Sequence, residues 1–297
     1  MKIILQKKKL ILWLCLIFII IFIGLMSFVV YAQRQNFINA HKESLQILAN
    51  EKAVQVNTFL ESQKEKLLMI ASMNVFEEAL LYPNDPAKIA IAKDRINQLK
   101  NILPGIGIIN KKGFIVVAEN NPAGTDYSMM PMFPVDDKTG ITFMRYYDLQ
   151  RKKDYFGVIG PIYDGTKKNK VIGVIGFDIE LDKISVLMKG SSEGKTREVY
   201  LIDETGLLLS RSAYVGKDSN GGILIQEVKN EESEACLVDL KKYQRDGVIE
   251  KHEEKILSYL NYMGNEVFGA HAYVPQIMGC VIAEESTKEV LGIFDVK

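Results

Sequence analysis

Hydrophobic and polar positions along the chain change rhythm three times. Residues 10–32 carry no charge and hold Trp13, Phe18, Phe22 and Phe28 among leucine, isoleucine and valine. At about 1.5 Å per residue such a run crosses the roughly 30 Å hydrocarbon core of a bilayer with allowance for tilt, which predicts a transmembrane helix. Polar residues then dominate, yet Phe37, Leu45, Leu48, Val56, Phe59, Leu60, Leu67, Ile70 and Phe76 recur mostly at three- and four-residue steps, with Lys, Glu and Gln between them. That spacing predicts one long stalk helix over 33–82, because no proline interrupts it before Pro83. About 45 helical residues reach roughly 65 Å, more than the width of one small domain. The helix is therefore expected to run past more than one module and to offer part of its stripe to a second copy of the chain as a homodimer.

The segment 82–86 (YPNDP) breaks the helix, and 87–103 restarts a shorter amphipathic one. The period then becomes two. Residues 105–109 and 114–118 are apolar, β-branched runs around Asn110-Lys111-Lys112-Gly113, a hairpin turn signal. After an irregular stretch with prolines at 122, 131 and 134, strands are expected over 141–147, 154–163 and 171–181, the last reading VIGVIGFDIEL. A second pass of the same grammar follows, since 199–211 (VYLIDETGLLLSR) lays over 106–118 (IGIINKKGFIVVA) as strand, turn and strand. It continues through a polar helical stretch at 223–245 into strands within 247–257, 258–262, 267–274 and 279–284, with a final helix from 285.

Charge sets the topology. Lys2, Lys7, Lys8 and Lys9 precede the apolar run and only Arg34 follows closely, so residues 1–9 are expected in the cytoplasm and 33–297 outside it, periplasmic or extracellular. A cleaved signal peptide ending near Val30-Tyr31-Ala32 is the alternative, but signal cores run about 7 to 15 residues and this one is longer. The chain holds 37 basic and 37 acidic residues, and without the four leading lysines the balance is 33 to 37. With no arginine-rich tract or basic and aromatic stripe, nucleic acid is not an expected partner. Of three cysteines Cys15 lies in the apolar run, leaving Cys236 and Cys280 as a disulfide or as two separate thiols, Cys280 buried in a strand. His41, His252 and His271 are scattered, and no His-Glu-x-x-His pair, Gly-x-Ser-x-Gly elbow or phosphate loop is present. No enzyme, cofactor or metal site is expected in this chain.

The order of elements, together with Gly124-Thr125-Asp126-Tyr127-Ser128, Pro161-Ile162-Tyr163-Asp164, GVIGFDI at 173–179 and the closing Val281-Ile282-Ala283-Glu284, resembles the double Cache sensor domains of bacterial chemoreceptors and membrane histidine kinases. The resemblance covers 33–292. It implies an α+β fold: an N-terminal transmembrane helix, a long stalk helix and two stacked PAS-like modules with antiparallel five-stranded sheets. The distal module would be 83–190, the membrane-proximal one 191–287, and 288–297 would start a C-terminal helix. It further implies an extracytoplasmic sensor binding a small molecule in the distal module. Such receptors continue into an output domain, a kinase among the possibilities, so this chain would be the N-terminal part of one or a free-standing sensor. A membrane-anchored scaffold that uses the fold for protein contact is the rival function.

In the strand 171–181, Ile172, Val174, Gly176 and Asp178 share a face, so Asp178 ends an otherwise apolar surface where a carboxylate needs a partner. The resemblance gives it the role of holding a ligand amino group; bonding to backbone or Lys183 is the plainer reading. The arginine that in relatives grips a ligand carboxylate falls, by register, on Met130, and the following aromatic pair on Met132 and Phe133. Methionine offers only a thioether, so the expected ligand is an amine that needs no carboxylate. Arg145 is the candidate substitute, and Tyr127, Tyr147 and Tyr163 are candidate walls, with Tyr146 and Tyr155 beside them.

Overall fold

The structure, a computed structural model, describes residues 2–130, 133–148, 151, 153–167, 170–189, 196–215, 221–247 and 258–292. Helix α1 spans Lys2–Ala71, so the apolar run and the stalk are one continuous helix. Trp13, Phe18, Phe22 and Phe28 stand exposed along its first part, as a lipid-facing segment requires. Beyond it the stripe is buried: Leu45, Val56, Leu60, Leu67 and Ile70 have no solvent exposure. The expected single helix to residue 82 is corrected here. It breaks at 72–73, where Met73 turns extended and Ser72 Oγ donates to the Met69 carbonyl at 2.8 Å, and α2 (Asn74–Leu81) starts as a separate helix. A side-chain bond to the helix's own last turn competes with the backbone ladder there without a proline.

Helix α3 (Pro86–Leu99) begins as the sequence dictates, with Pro86 in the first turn and the Asp85 carboxylate accepting from the Ala87 and Lys88 amides. Five strands follow: β1 (Gly107–Asn110), β2 (Ile115–Ala118), β3 (Thr142–Asp148), β4 (Lys153–Tyr163) and β5 (Val171–Glu180). They form an antiparallel sheet in the order β2-β1-β5-β4-β3. Helix α4 (Leu181–Met188) leads to the second module, built from β6 (Glu198–Ile202), α5 (Glu231–Asp246), β7 (Tyr259–Leu260), β8 (Glu266–Val274), β9 (Gly279–Ser286) and α6 (Thr287–Leu291). Its antiparallel sheet runs β6-β9-β8-β7. Among the described residues the fifth strand expected from the repeat is reduced to isolated bridges, Ile202↔Leu208 and Leu207↔Glu227. The strand expected within 247–257 lies, except for Gly247, outside the described residues.

Helix α1 packs against β4 and β5 of the first sheet and β8 and β9 of the second, giving both modules and the stalk one continuous apolar core. Lys52, buried in that core, donates to the carbonyls of Leu187 (2.8 Å) and Lys189 (2.9 Å), so the stalk caps the C-terminal end of α4 with a positive charge. A disulfide joins Cys236 on α5 to Cys280 on β9, which settles the alternative left open by the cysteine count.

Candidate ligand-binding site

The distal sheet makes a cavity because its centre lacks side chains. Gly107 pairs with Gly176 across β1 and β5, and Gly157 on β4 pairs with Asp178 on β5. All four line a cavity of about 420 Å³, with Ile109, Ile115, Met144 and Ile159 as apolar wall and Asn120, Asn121 and Tyr127 at a polar side. Asp178 is held from the backbone by its own amide, which donates to the Pro104 carbonyl at 2.7 Å. The next residue, Gly105, has φ +72° and passes so close that any Cβ there would collide with the Asp178 carboxylate.

Among the described residues, Tyr146 and Arg151 hold that carboxylate. The Tyr146 hydroxyl donates to Asp178 Oδ1 at 2.5 Å, and the Arg151 guanidinium donates to Oδ2 at 2.6 Å. Arg151 also lies over the Tyr155 ring, 4.0 Å from its centroid, and Tyr155 stacks on Tyr146 at 5.9 Å. Burial, then the adjacent negative charge of Asp178, pushes the Tyr146 phenol well above its usual range. The hydroxyl therefore stays a donor. A buried acid, a cation and a phenol thus converge on one wall of a pocket whose volume suits a small metabolite, within the roughly 300 to 1,000 Å³ usual for ligand sites.

The structure sorts the sequence candidates. Asp178, Tyr127 and Met130 line the cavity. Phe133 packs beside Val135, Val171 and Val174 in a separate apolar cluster, and Tyr163 is 45% exposed on the far end of β4. Arg145 is not brought to the cavity; it pairs with Asp203 of the proximal module. Met132 and the Tyr147 side chain lie outside the described residues. The plainer partner for Asp178, Lys183, is replaced by Arg151 and Tyr146. Strand register gives the reason. Asp178, Gly157 and Met144 stand opposite one another in a row across β5, β4 and β3, so Met144 and Tyr146 share the face of Asp178 and Arg145 does not. Arg151 was missed because it sits in a basic stretch, Arg-Lys-Lys, that reads as a solvent-facing turn.

The family model for the Cache domain, in its double form, matches residues 33–292. The chain belongs to the double Cache family. No curated protein sequence matches it. Among solved structures, the sensory domain of the Campylobacter jejuni chemoreceptor Tlp3 with isoleucine bound is similar at 14% identity and TM-score 0.57, over 86% of this chain and 97% of that one. The sensor domain of the Vibrio cholerae histidine kinase DctB gives 12% identity and TM-score 0.56, over 86% and 99%. The ligand-binding domain of the Pseudomonas fluorescens chemoreceptor CtaA with L-leucine gives 12% and 0.54, over 88% and 99%. At such identity the likeness is one of fold. The double Cache family comprises non-catalytic, extracytoplasmic sensor domains of membrane receptors, homologous to the ligand-binding domains of chemoreceptors and histidine kinases. The N-terminal apolar helix of this chain fits a single-pass membrane protein of that kind.

Proposed function

We propose that this Cache protein senses a small zwitterion in the distal cavity, with Asp178 as counter-ion to its ammonium group and Arg151 as partner to its anionic group. The observation that carries the reading is the placement of both charges on one wall of the 420 Å³ cavity. The expectation of an amine without a carboxylate rested on Met130 standing where a cation belongs, and Arg151 supplies that cation from another element. A plain amine would compete with the guanidinium for Asp178, whereas a zwitterion can engage both charges and replace one ion pair by two. That CtaA and Tlp3 have been solved with leucine and isoleucine supports the class.

The signal has a physical route. Strand β5 runs straight into α4, whose end is capped by Lys52 of the stalk, and Arg145 beside Tyr146 ties β3 to Asp203 of the proximal module. On the stalk, Ile47, Val54 and Leu68 are 60%, 63% and 55% exposed and stand seven and fourteen residues apart, the spacing of a seam between two parallel helices. We read this as the homodimer contact, with residues 1–9 in the cytoplasm. Calorimetric titration of the full chain in nanodiscs tests the site: each α-amino acid is compared with the amine lacking its carboxylate and the acid lacking its amine. At least one amino acid should bind, and Asp178→Asn should weaken it by roughly tenfold to a hundredfold, the worth of one charge-assisted bond. Tight binding of a plain carboxylate, unchanged in the variant, would overturn the reading.

A further inference from the structure

The proximal module repeats the acid site of the distal one, but among the described residues it has no cation in the place of Arg151. In the distal sheet Tyr146 pairs with Tyr155, Gly157 follows two residues on, and Gly157 pairs with Asp178, three residues before α4. In the proximal sheet Tyr259 pairs with Val267, Gly269 follows two residues on, and Gly269 pairs with Glu284, three residues before α6. The Tyr259 hydroxyl donates to Glu284 Oε1 at 2.8 Å, as Tyr146 does to Asp178, and its ring fills the space over Gly269 so that no Cβ fits there. The two modules therefore carry one motif of tyrosine, glycine and acid.

What differs is the second carboxylate oxygen. In the distal module it holds Arg151. In the proximal module Glu284 is 1% exposed, Tyr200 (2.7 Å), Tyr259 (2.8 Å) and Asn230 (3.2 Å) all donate to Oε1, and Oε2 is buried with no hydrogen-bond partner among the described residues. The groups around it are mostly acidic. Glu198 on β6 stands directly across from it, bonded to Tyr262 and the Ala213 amide. From α5 comes Glu232, held by His271 of β8 at 2.8 Å, and Asp239, held by Tyr273 and by Lys242 at 3.7 Å. Arg197 is engaged with Glu285 on the opposite face, and among the described residues no lysine or arginine bonds to Glu198 or Glu284.

We propose that Glu284 is a proton-binding site through which the proximal module responds to pH, the neutral carboxyl being the form that the folded module holds. Two facing carboxylates without a cation cannot both stay ionised in a dry site, so a proton takes the place that the guanidinium has in the distal copy. Burial, reinforced by Glu198 and opposed by hydrogen bonding from Tyr200, Tyr259 and Asn261, pushes the Glu284 acid up to about 7, and burial raises Glu198 as well. The folded protein then binds a proton that the unfolded chain has released between the ordinary carboxylate range and neutrality. Stability from this site is complete below that range and is lost as pH rises toward 7. Above it the ionised carboxylate faces Glu198 with no cation bonded to it among the described residues, and the elements it joins are the α5 cap at Asn230 and strand β7. The next residue, Glu285, is bonded to His41 of the stalk at 2.6 Å, so movement of β9 reaches α1 directly.

Infrared difference spectra of the full chain in nanodiscs between pH 5 and 9 test the proposal. A protonated-carboxyl C=O band should disappear with a midpoint near neutrality, be absent in Glu284→Gln, and move to lower pH in Glu198→Gln, where loss of the facing charge weakens proton affinity by about tenfold. Thermal melts should show wild type losing stability from pH 5 to 7.5 relative to Glu284→Gln. No such band in wild type, or a band unchanged in Glu284→Gln, would overturn the assignment. If Glu284→Gln does not fold, a midpoint unmoved in Glu198→Gln overturns it equally.

Discussion

Replacing Arg151 by methionine separates a structural arginine from one that selects the ligand. Methionine keeps most of the apolar stem, so the change removes the guanidinium and little else. Asp178 would lose its charged donor at 2.6 Å while its side chain stays 9% exposed, and Tyr155 would lose the cation over its ring. A charged hydrogen bond contributes about 1.5–3 kcal/mol and a half-exposed cation–π contact about 0.5–1 kcal/mol. Because the Arg151 side chain is 28% exposed and partly screened, the lower half of that range applies, giving a loss of about 2 kcal/mol. That corresponds to roughly 4–8 °C in Tm for a domain of this size. The double variant Arg151→Met with Asp178→Asn should recover about half of the loss, since the buried group that faced Arg151 is then neutral. Binding gives the sharper reading. Amino acids should weaken by roughly tenfold to a hundredfold in Arg151→Met, while plain amines should tighten by up to about tenfold because Asp178 is no longer held by a competing cation. Thermal melts and calorimetry on the same full-chain preparation report both quantities. If amines and amino acids shift together by the same factor, Arg151 only holds the wall and the zwitterion argument fails.

Lys52→Met should cost about 2 kcal/mol by chemical denaturation, because two buried carbonyls at the end of α4 lose a charged donor. Cys236→Ser with Cys280→Ser removes a link spanning 44 residues, for which loop entropy predicts a loss of up to about 4 kcal/mol, read as a lower denaturation midpoint under non-reducing conditions. Val54→Lys with Leu68→Lys should abolish self-association in analytical ultracentrifugation while leaving Tm within a few degrees, and persistence of the dimer would move the interface elsewhere. Reporter fusions after Arg34 should be active only outside the cytoplasm.

The gross architecture was legible because it rests on local periodicity. The charge-free run of 10–32, the three- and four-residue steps of the stalk and the period-two runs from 105 onward each specify an element from its own residues, and the repeat of 106–118 at 199–211 marked two modules. Asp178 was legible for the same reason, since a carboxylate at the end of an apolar strand face announces a partner. The break at 72–73 was not, because a serine that bonds back to its own helix has no sequence mark of its own.

The partner of Asp178 needed the register of three strands. A shift of one residue on β3 would exchange Tyr146 for Arg145 at the pocket, and nothing in the 142–148 segment alone sets that choice. Arg151 and Glu284 were hidden by the same limit. Arg151 belongs to a basic stretch whose side chain turns inward only because Tyr155 and Asp178 meet it there, and Glu284 looks like one more acid of a Glu-Glu pair until Gly269, Tyr259 and Glu198 close around it. Sequence periodicity decides which face a residue takes within its element. Only tertiary packing brings faces from distant elements together, and it is there that burial, charge and hydrogen bonding acquire their magnitude.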